Sequence, residues 1–174
     1  MNKTVIIQGS SRSYGNTNTI LKYINTIENY DIIDLYDKNI GHFDYEFNNK
    51  NDDFLPLIKS VIEKYDTIIF ATPVYWYAMS GVLKVFFDRL SDLLYVEKDL
   101  GRKLRGKNMG MISCGSGPGL KDEFSMPFKE SANYLGMKYL GDVHTWIETE
   151  NEIPAEVKVG IENFTNSLKT EVLK

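Results

Sequence analysis

Short runs of apolar and β-branched residues recur along the chain between charged or turn-forming segments. Four of these runs have the length and composition of buried strands, and they cover residues 4–9, 30–35, 67–72 and 109–114. A fifth run, residues 138–144, is a weaker match because Gly141 interrupts it. The pattern predicts five strands.

Between the predicted strands, apolar residues recur at the three- and four-residue spacing of amphipathic helices. Pro56 is compatible with such a helix only in its first turn, and Gly136 follows another at the position where a glycine often ends a helix. The segments predicted as helices are residues 16–27, 52–64, 81–94, 124–135 and 154–173.

Strands and helices alternate strictly along the chain. Such alternation is typical of an α/β fold in which helices cover both faces of a parallel sheet. At 174 residues, 43% of them hydrophobic, the chain has the size and composition of one ordinary globular domain. We therefore expect a single domain over residues 1–174, built on a doubly wound five-stranded parallel sheet.

Net charge, hydrophobic stretches and cysteine content limit the classes of partner and the cellular compartment that we expect for this protein. The net charge of −4 argues against a nucleic-acid partner, which requires a basic face. No apolar stretch approaches the ~20 residues of a membrane span, and the first residues show no signal-peptide pattern. Cys114 is the one cysteine, so neither an intramolecular disulfide nor a cysteine metal cage can form. We expect a cytoplasmic protein that binds neither nucleic acid nor membrane.

The loop after the first strand has features of a phosphate site. It reads Gly-Ser-Ser-Arg-Ser-Tyr-Gly-Asn-Thr over residues 9–17 and leads into a helix, whose unpaired N–H groups attract anions. Ser10, Ser13 and Thr17 add hydroxyl donors, and Arg12 can grip two phosphate oxygens at once. The loop predicts a phosphate cradle.

Two well-known phosphate loops do not match. Asn16 stands where the Walker loop requires lysine, and Ser11 occupies the second glycine position of the dinucleotide-binding pattern. From this loop alone, a serine-capped helix after a tight turn remains an alternative.

The loop after the third strand carries three consecutive aromatic residues, Tyr75, Trp76 and Tyr77. They cannot all face a core, so we expect at least one exposed ring that could stack on a planar ligand. A loop folded onto the core, or a contact between subunits, is the alternative.

The loop after the fourth strand contains three glycines in five residues, at 115, 117 and 119. Such a loop lets a ligand lie close to the main chain. Cys114 precedes it and could be a redox thiol, but a small buried residue at a strand end is the more economical interpretation.

These three loops converge if the strand order is 2-1-3-4-5, because strands one, three and four are then adjacent. Ligands of open α/β sheets bind at the carboxyl ends of the strands, at the switch point. A phosphate cradle, an aromatic wall and a glycine-rich wall together describe an FMN site.

The same segments resemble the NADPH-dependent FMN reductase family. The resemblance covers residues 3–119 and is carried by the phosphate loop, by Pro-Val-Tyr-Trp at 73–76 and by Lys84 with Asp88-Arg89. It is similar above all to the branch that includes iron–sulfur flavoproteins and small NAD(P)H oxidoreductases. The resemblance implies a flavodoxin-like fold, FMN as cofactor, NAD(P)H as co-substrate, and a homodimer or a dimer of dimers in which the partner completes the site.

The resemblance also implies which residues bind the cofactor. The phosphate would be held by Ser10, Arg12, Asn16 and Thr17. The ring and ribityl chain would lie along Pro73, Val74, Tyr75 and Trp76, with Gly115 and Ser116 at the other edge of the ring.

One departure from this branch is informative. Many of its members carry a cysteine cluster between strand two and helix two, whereas residues 39–48 contain no cysteine. An iron–sulfur cluster therefore lacks its ligands. Phe43, Tyr45 and Phe47 are instead candidates for the substrate side or a subunit contact.

Several charged residues have structural explanations that compete with functional ones. Lys84 and Asp88 are four apart and can pair on a helix. His42 and His144 show no ligand spacing and are assigned to surface or packing roles. A basic segment could meet the 2′-phosphate of NADPH, although a solvated loop is the simpler interpretation; it contains Arg102, Lys103, Arg105 and Lys107.

Two functions remain open from the sequence. The first is an oxidoreductase that passes hydride from NAD(P)H through FMN to a small-molecule acceptor such as a quinone, a nitro or azo compound, or a flavin. No catalytic side chain is assigned, because the cofactor carries the chemistry. The alternative is a flavodoxin-like electron-transfer protein reduced by a protein partner, which the modest net charge disfavours.

Overall fold

The computed structural model of the chain describes residues 3–149 and 152–172, with the side chains described up to residue 169. In these residues one parallel sheet has the strand order β2-β1-β3-β4-β5, which confirms the predicted fold class and topology. Its strands are β1 (Thr4–Gln8), β2 (Asp31–Asp34), β3 (Thr67–Pro73), β4 (Asn108–Gly115) and β5 (Lys138–Trp146).

Helices connect the strands and cover the sheet. They are α1 (Asn16–Ile27), α2 (Phe54–Lys64), α3 (Gly81–Arg89), α4 (Asp92–Tyr95), α5 (Lys98–Arg102), α6 (Met126–Leu135) and α7 (Ala155–Val172). Short 3₁₀ turns follow β2 at Leu35–Asp37 and precede α6 at Asp122–Ser125. Over the residues described, no helix is both long and apolar enough to cross a bilayer.

The period-two alternation of the central strands divides the core into two layers. Val5 and Ile7 of β1 face the layer formed with α2, α3 and α6, whereas Ile6 faces the layer formed with α1 and α7. All residues of β3 are buried, as expected of a central parallel strand covered on both faces. The helices on the two faces leave the carboxyl edge of the sheet to the loops.

The structure explains why a glycine stands at position 141, where it weakened the sequence signal of the fifth strand. The β4–β5 register shifts between Met109 and Met111, and Gly141 adopts φ = 106° at this irregularity. A residue with a Cβ rarely adopts that conformation. The strand therefore continues past the glycine to Trp146, two residues beyond its predicted end.

The predicted helix over 81–94 is wrong in one respect, because it breaks after Arg89. Leu90 and Ser91 donate their N–H groups to the carbonyl oxygens three residues earlier, both at 3.1 Å, which tightens the turn before α4 begins. This turn carries Asp92 close to Arg89, whose Nε donates to Asp92 Oδ2 at 2.9 Å. A buried ion pair thus overrides the hydrophobic periodicity.

Arg89 is 1% exposed and ties the long loop before α2 to the body of the fold. Its guanidinium donates to Asp52 Oδ2 at 2.5 Å, to the carbonyl of Gly41 at 3.0 Å and to that of Asn49 at 3.2 Å. It also lies 4.9 Å from the ring centroid of Phe54. Each of the three guanidinium nitrogens of Arg89 has a hydrogen-bond partner, as a buried charge requires.

We expect Asp52→Asn to destabilise the fold in a pH-dependent way. Burial opposes ionisation of Asp52, but hydrogen bonds from Arg89 and from the N–H groups of Phe54 and Gly41 hold its pKa below the ordinary value. A lowered folded pKa contributes stability above the unfolded value of about 4, which is lost as pH falls through the folded value. Removing one partner of such a buried pair costs about 3 kcal/mol near neutral pH.

Urea unfolding of the wild type and the variant across acidic and neutral pH measures this effect. The difference in free energy of unfolding should shrink as the solution is acidified. Asp99→Asn is the matched control, because Asp99 pairs with Arg102 on the surface and is almost fully exposed. Equal behaviour of the two variants would contradict the assignment.

Candidate functional site

The loops that follow β1, β3 and β4 meet at the carboxyl edge of the sheet. Gly9 donates its N–H to the carbonyl of Ala71 at 2.8 Å, and Val74 donates to that of Cys114 at 2.9 Å. These bonds extend the strand pairing into the loops. The predicted convergence of the three loops is therefore confirmed.

The first loop presents unpaired N–H groups at the start of α1. Gly15 is the N-cap, with no side chain capping the helix, and the first helical bond runs from Thr19 N to the carbonyl of Gly15 at 3.0 Å. The N–H groups of Asn16 and Thr17 therefore have no partner within the helix. The serine-capped alternative is wrong, and the helix end is free to receive an anion.

Arg12 lies across this helix end. A Cβ built on Gly15 would stand 2.5 Å from Arg12 Nε, so the arginine packs directly against the glycine. Arg12 is exposed and forms no ion pair with a residue that the structure describes. A free guanidinium beside uncapped N–H groups is well suited to a phosphate.

The other predicted phosphate residues differ in their surroundings. Ser10 is buried, and its Oγ accepts the N–H of Arg12 at 3.4 Å. Asn16 is exposed. Thr17 is buried, so its side chain is not open to a ligand and it offers the loop its backbone N–H.

Ser80 braces the first loop against α3, a role that the sequence analysis missed. Its Oγ donates to the carbonyl of Gly9 and accepts the N–H of Leu83 at 3.1 Å, which makes it the N-cap of α3. A Cβ on Gly9 would come within 2.5 Å of Leu83 Cβ, so this contact needs a glycine. A serine directly before the helical pattern was the available signal.

The aromatic segment forms a tight turn with unusual backbone geometry. Tyr75 and Ala78 exchange two backbone hydrogen bonds of 3.0 Å, with Trp76 at φ = 50° and Tyr77 at φ = 60° between them. Two positive φ values are typical of a type I′ turn, which favours Asn-Gly. Bulky aromatic residues are strained there, and such strain is concentrated at functional sites.

The prediction that at least one aromatic ring is exposed is confirmed. Trp76 is 95% exposed and Tyr77 is 71% exposed. Tyr75 joins this turn to the first loop, because its hydroxyl lies 2.9 Å from Ser11 Oγ. The aromatic turn and the phosphate loop are therefore connected by a side-chain hydrogen bond.

A cavity of about 370 Å³ separates the aromatic turn from the glycine loop. The predicted residues Val74, Trp76, Gly115 and Ser116 all line it. Pro73 is buried at the end of β3 and supports the cavity rather than facing it. The remaining lining residues are Tyr77, Gly117, Gly119, Leu120 and His144.

His144 is a second residue of the site that the sequence analysis missed. It was assigned to the surface or to packing, yet it lines the cavity and is half-buried. Its Nδ1 lies 2.8 Å from Ser113 Oγ, and its Nε2 lies 2.9 Å from the carbonyl oxygen of Gly117. The position of His144 near the carboxyl end of the last strand was the only sequence signal.

Cys114 is a buried strand-end residue, as the simpler interpretation expected. Burial raises the pKa of its thiol, and hydrogen bonds with Thr145 and Thr17 offset only part of that effect. A buried thiol with a raised pKa has little thiolate character, so the geometry does not favour a redox role.

The basic segment before β4 lies at the opposite edge of the sheet from the cavity. β4 runs from Asn108 to Gly115, a distance of roughly 23 Å at 3.3 Å per residue. Lys107 Nζ donates to the carbonyl of Tyr65 at 2.6 Å, and Arg102 pairs with Asp99. The structure thus places the basic segment away from the cavity of the same chain, which agrees with the simpler interpretation.

The aromatic residues of the loop after β2 pack mainly on one another. The ring centroid of Phe43 lies 5.1 Å from that of Tyr45 and 6.0 Å from that of Phe47. Phe47 continues the cluster to Tyr95, at 6.3 Å. Their role toward a substrate or a second subunit stays a prediction.

Comparison with known proteins gives a match over most of the chain. The model of a family described as NADPH-dependent FMN reductase matches residues 2–152. YwqN of Bacillus subtilis, described as an NAD(P)H-dependent FMN-containing oxidoreductase, is 28% identical over 153 residues, which cover 81% of this chain and 83% of YwqN.

Solved structures share the fold. The Trp repressor binding protein of Bacillus subtilis superimposes with a TM-score of 0.67 at 24% identity and 95% coverage of both chains. General stress protein 14 of Treponema denticola, solved in complex with FMN, gives a TM-score of 0.63 at 18% identity, with 97% of this chain and 98% of that chain covered.

We expect the double variant Trp76→Asn, Tyr77→Gly to raise stability. A non-glycine residue in the left-handed region costs roughly 1–2 kcal/mol, partly offset by the entropy that a glycine adds to the unfolded chain. The net gain should be about 1 kcal/mol in urea unfolding. The matched control is Trp76→Ala, Tyr77→Ala, which removes the rings but keeps the strained backbone; an equal gain from the control would refute the strain.

Proposed function

The chain belongs to the NADPH-dependent FMN reductase family, and from that premise we propose that it is an FMN-dependent NAD(P)H oxidoreductase with its cofactor in the crevice between the three loops. The observation that carries the proposal is the uncapped start of α1 with Arg12 across it, beside a cavity walled by aromatic residues and glycines. That combination suits a molecule with a phosphate at one end and a planar ring at the other.

The residues present fit FMN at both ends. The N–H groups of Asn16 and Thr17 and the guanidinium of Arg12 would bind the phosphate, with Ser10 supporting the loop. At the cavity, a Cβ added to Gly117 or Gly119 would meet no atom within 4 Å, so the main chain there is open to a ring. Val74 and Trp76 would border that ring from the other side.

When bound, FMN supplies the redox chemistry: a hydride is received from NAD(P)H in one half-reaction, and two electrons with protons pass to the acceptor in the next. The chain's own residues bind and orient. Arg12 and the start of α1 would anchor the phosphate, while the aromatic turn and the glycine loop would fix the ring and shield one side of it from water. No acid or base of the protein is required.

The acceptor is proposed to be a small planar molecule: a quinone, a nitro or azo compound, or a flavin. The exposed rings of Trp76 and Tyr77 flank the mouth of the cavity and offer flat surfaces for stacking. We also place the reaction in the cytoplasm, where NAD(P)H is available.

A homodimer is proposed as the working assembly. An apolar groove of about 430 Å³ runs between α3 and α6, and it begins at Met79, directly after the aromatic turn. Phe87, Leu94 and Pro127 contribute apolar surface to it. A second copy on this groove would also cover the exposed turn, consistent with a site that two subunits complete.

Anaerobic stopped-flow mixing of the FMN-loaded protein with NADH or NADPH tests the proposed activity. Loss of flavin absorbance within the turnover time, followed by reoxidation on adding a quinone, is the expected result. A flavin that stays oxidised with both nucleotides, yet is reduced by a protein donor, would identify an electron carrier instead. A protein that takes up no FMN would overturn the proposal.

We expect Arg12→Ala to weaken the binding of FMN by about 10- to 100-fold, because it removes a charge-assisted bidentate contact to phosphate. Riboflavin, which lacks the phosphate, should bind equally well to the variant and the wild type. Quenching of flavin fluorescence on titration with apoprotein measures both. Lys59→Ala, on the exposed side of α2, is the control and should change neither affinity.

A further inference from the structure

His144 connects three parts of the site that are separate in sequence. It is the register partner of Ser113 in the β4–β5 pairing, and the two side chains are hydrogen bonded at 2.8 Å. The other ring nitrogen reaches forward to the carbonyl of Gly117, at 2.9 Å. A single imidazole therefore ties β5, β4 and the glycine loop together.

The partners of His144 determine the tautomer of its ring. The Gly117 carbonyl oxygen can only accept a hydrogen bond, so Nε2 must carry a proton. In the neutral ring Nδ1 is then an acceptor, and the Ser113 hydroxyl donates its hydrogen bond to it. Ser113 is fully buried, and its carbonyl accepts the hydroxyl of Thr145 at 2.7 Å, which fixes the strand beneath.

Packing holds the imidazole in place. A Cβ on Gly115 would stand 2.9 Å from His144 Cε1, so the glycine lies directly on the ring. The indole of Trp146, from the same strand, lies 5.8 Å away between centroids at an interplanar angle of 31°. The ring therefore has little freedom to turn away from Gly117.

The glycine loop has few other restraints: Pro118 fixes one φ angle, and Leu120 donates its N–H to the Pro118 carbonyl at 3.0 Å. Gly117 and Gly119 have open space where side chains would be, and glycine adds backbone freedom. A loop of this composition loses conformational entropy whenever a ligand requires one arrangement of its main chain, and this loss weakens binding. A hydrogen bond from a rigid strand to the centre of the loop reduces that loss in advance.

We propose that His144 is a positioning residue for the flavin ring: as the Nε2–H tautomer, set by Ser113, it holds the Gly117 carbonyl and so preorganises the glycine wall of the cavity. The inference rests on the proposed FMN site and extends it. His144 acts through the main chain of residues 115–119 and belongs to the ring end of the site, whereas Arg12 belongs to the phosphate end.

This division gives a test that a general loss of stability would not reproduce. His144→Ala should weaken binding of FMN and of riboflavin by the same factor, about tenfold, because one hydrogen bond that orders the ring wall is lost. Arg12→Ala affects FMN alone. His144→Gln should recover most of the affinity, since its amide presents a donor and an acceptor with a separation similar to that of the ring nitrogens.

Two further variants complete the set. Ser113→Ala removes the partner of Nδ1 and should weaken both flavins less than His144→Ala does. His42→Ala is the control, because His42 is exposed in the loop before α2 and should change neither affinity. Unchanged binding of both flavins by His144→Ala, or no recovery by His144→Gln, would overturn the proposal.

The ring state is read independently in the flavin-free protein. Nitrogen-15 NMR of the histidine rings at mildly alkaline pH should show His144 as the Nε2–H tautomer. Amide exchange of Gly115, Ser116, Gly117 and Gly119 should quicken in His144→Ala. A dominant Nδ1–H tautomer, or unchanged exchange, would refute the positioning role. If the wild type binds neither flavin, the proposed cofactor fails, while these two measurements still decide whether His144 orders the loop.

Discussion

The parallel alignment of all five strands is the constraint on which the site depends. It sends every strand toward the same edge, so the loops after β1, β3 and β4 have to meet there, while the helices occupy the two faces. The central strands are buried on both sides and leave no surface for chemistry. Function is therefore confined to short loops whose backbone is anchored at one end by a rigid strand.

Hydrophobic periodicity predicts the elements because burial on a sheet face or a helix face is a local property of the sequence. All five strands follow from it, whereas their order was expected from the resemblance to a flavodoxin-like family and from the convergence of the three loops. The break after Arg89 does not follow from periodicity, because it accompanies the burial of Arg89 between Asp92 and Asp52, and Asp52 lies 37 positions earlier in the chain. A single sequence shows the arginine as one more polar residue at the end of a helix, and only the folded chain shows that it is buried.

The candidate site also combines features that are local in the sequence with contacts between residues far apart in it. The three loops could be predicted because each carries a local signature of glycines, hydroxyl residues or aromatic rings. The contacts that join them could not: Ser11 with Tyr75 and Ser80 with Gly9 connect loops more than 60 positions apart, and His144 reaches back to Gly117. The left-handed backbone at Trp76 and Tyr77 was equally hidden, because turn preferences point to Asn-Gly rather than aromatic residues.

Each of the two walls of the crevice depends on supporting hydrogen bonds to keep its shape, although for different reasons. The aromatic wall has bulky side chains on a strained turn, which a backbone hydrogen-bond pair and the Tyr75 hydroxyl hold in place. The glycine wall has an unstrained but pliable backbone, which His144 restrains. In both cases a residue outside the wall supplies the order that the wall lacks. Because ordering before binding lowers the entropic cost of binding, we expect these supporting contacts, together with the exposed lining residues, to influence how tightly the proposed ring is held.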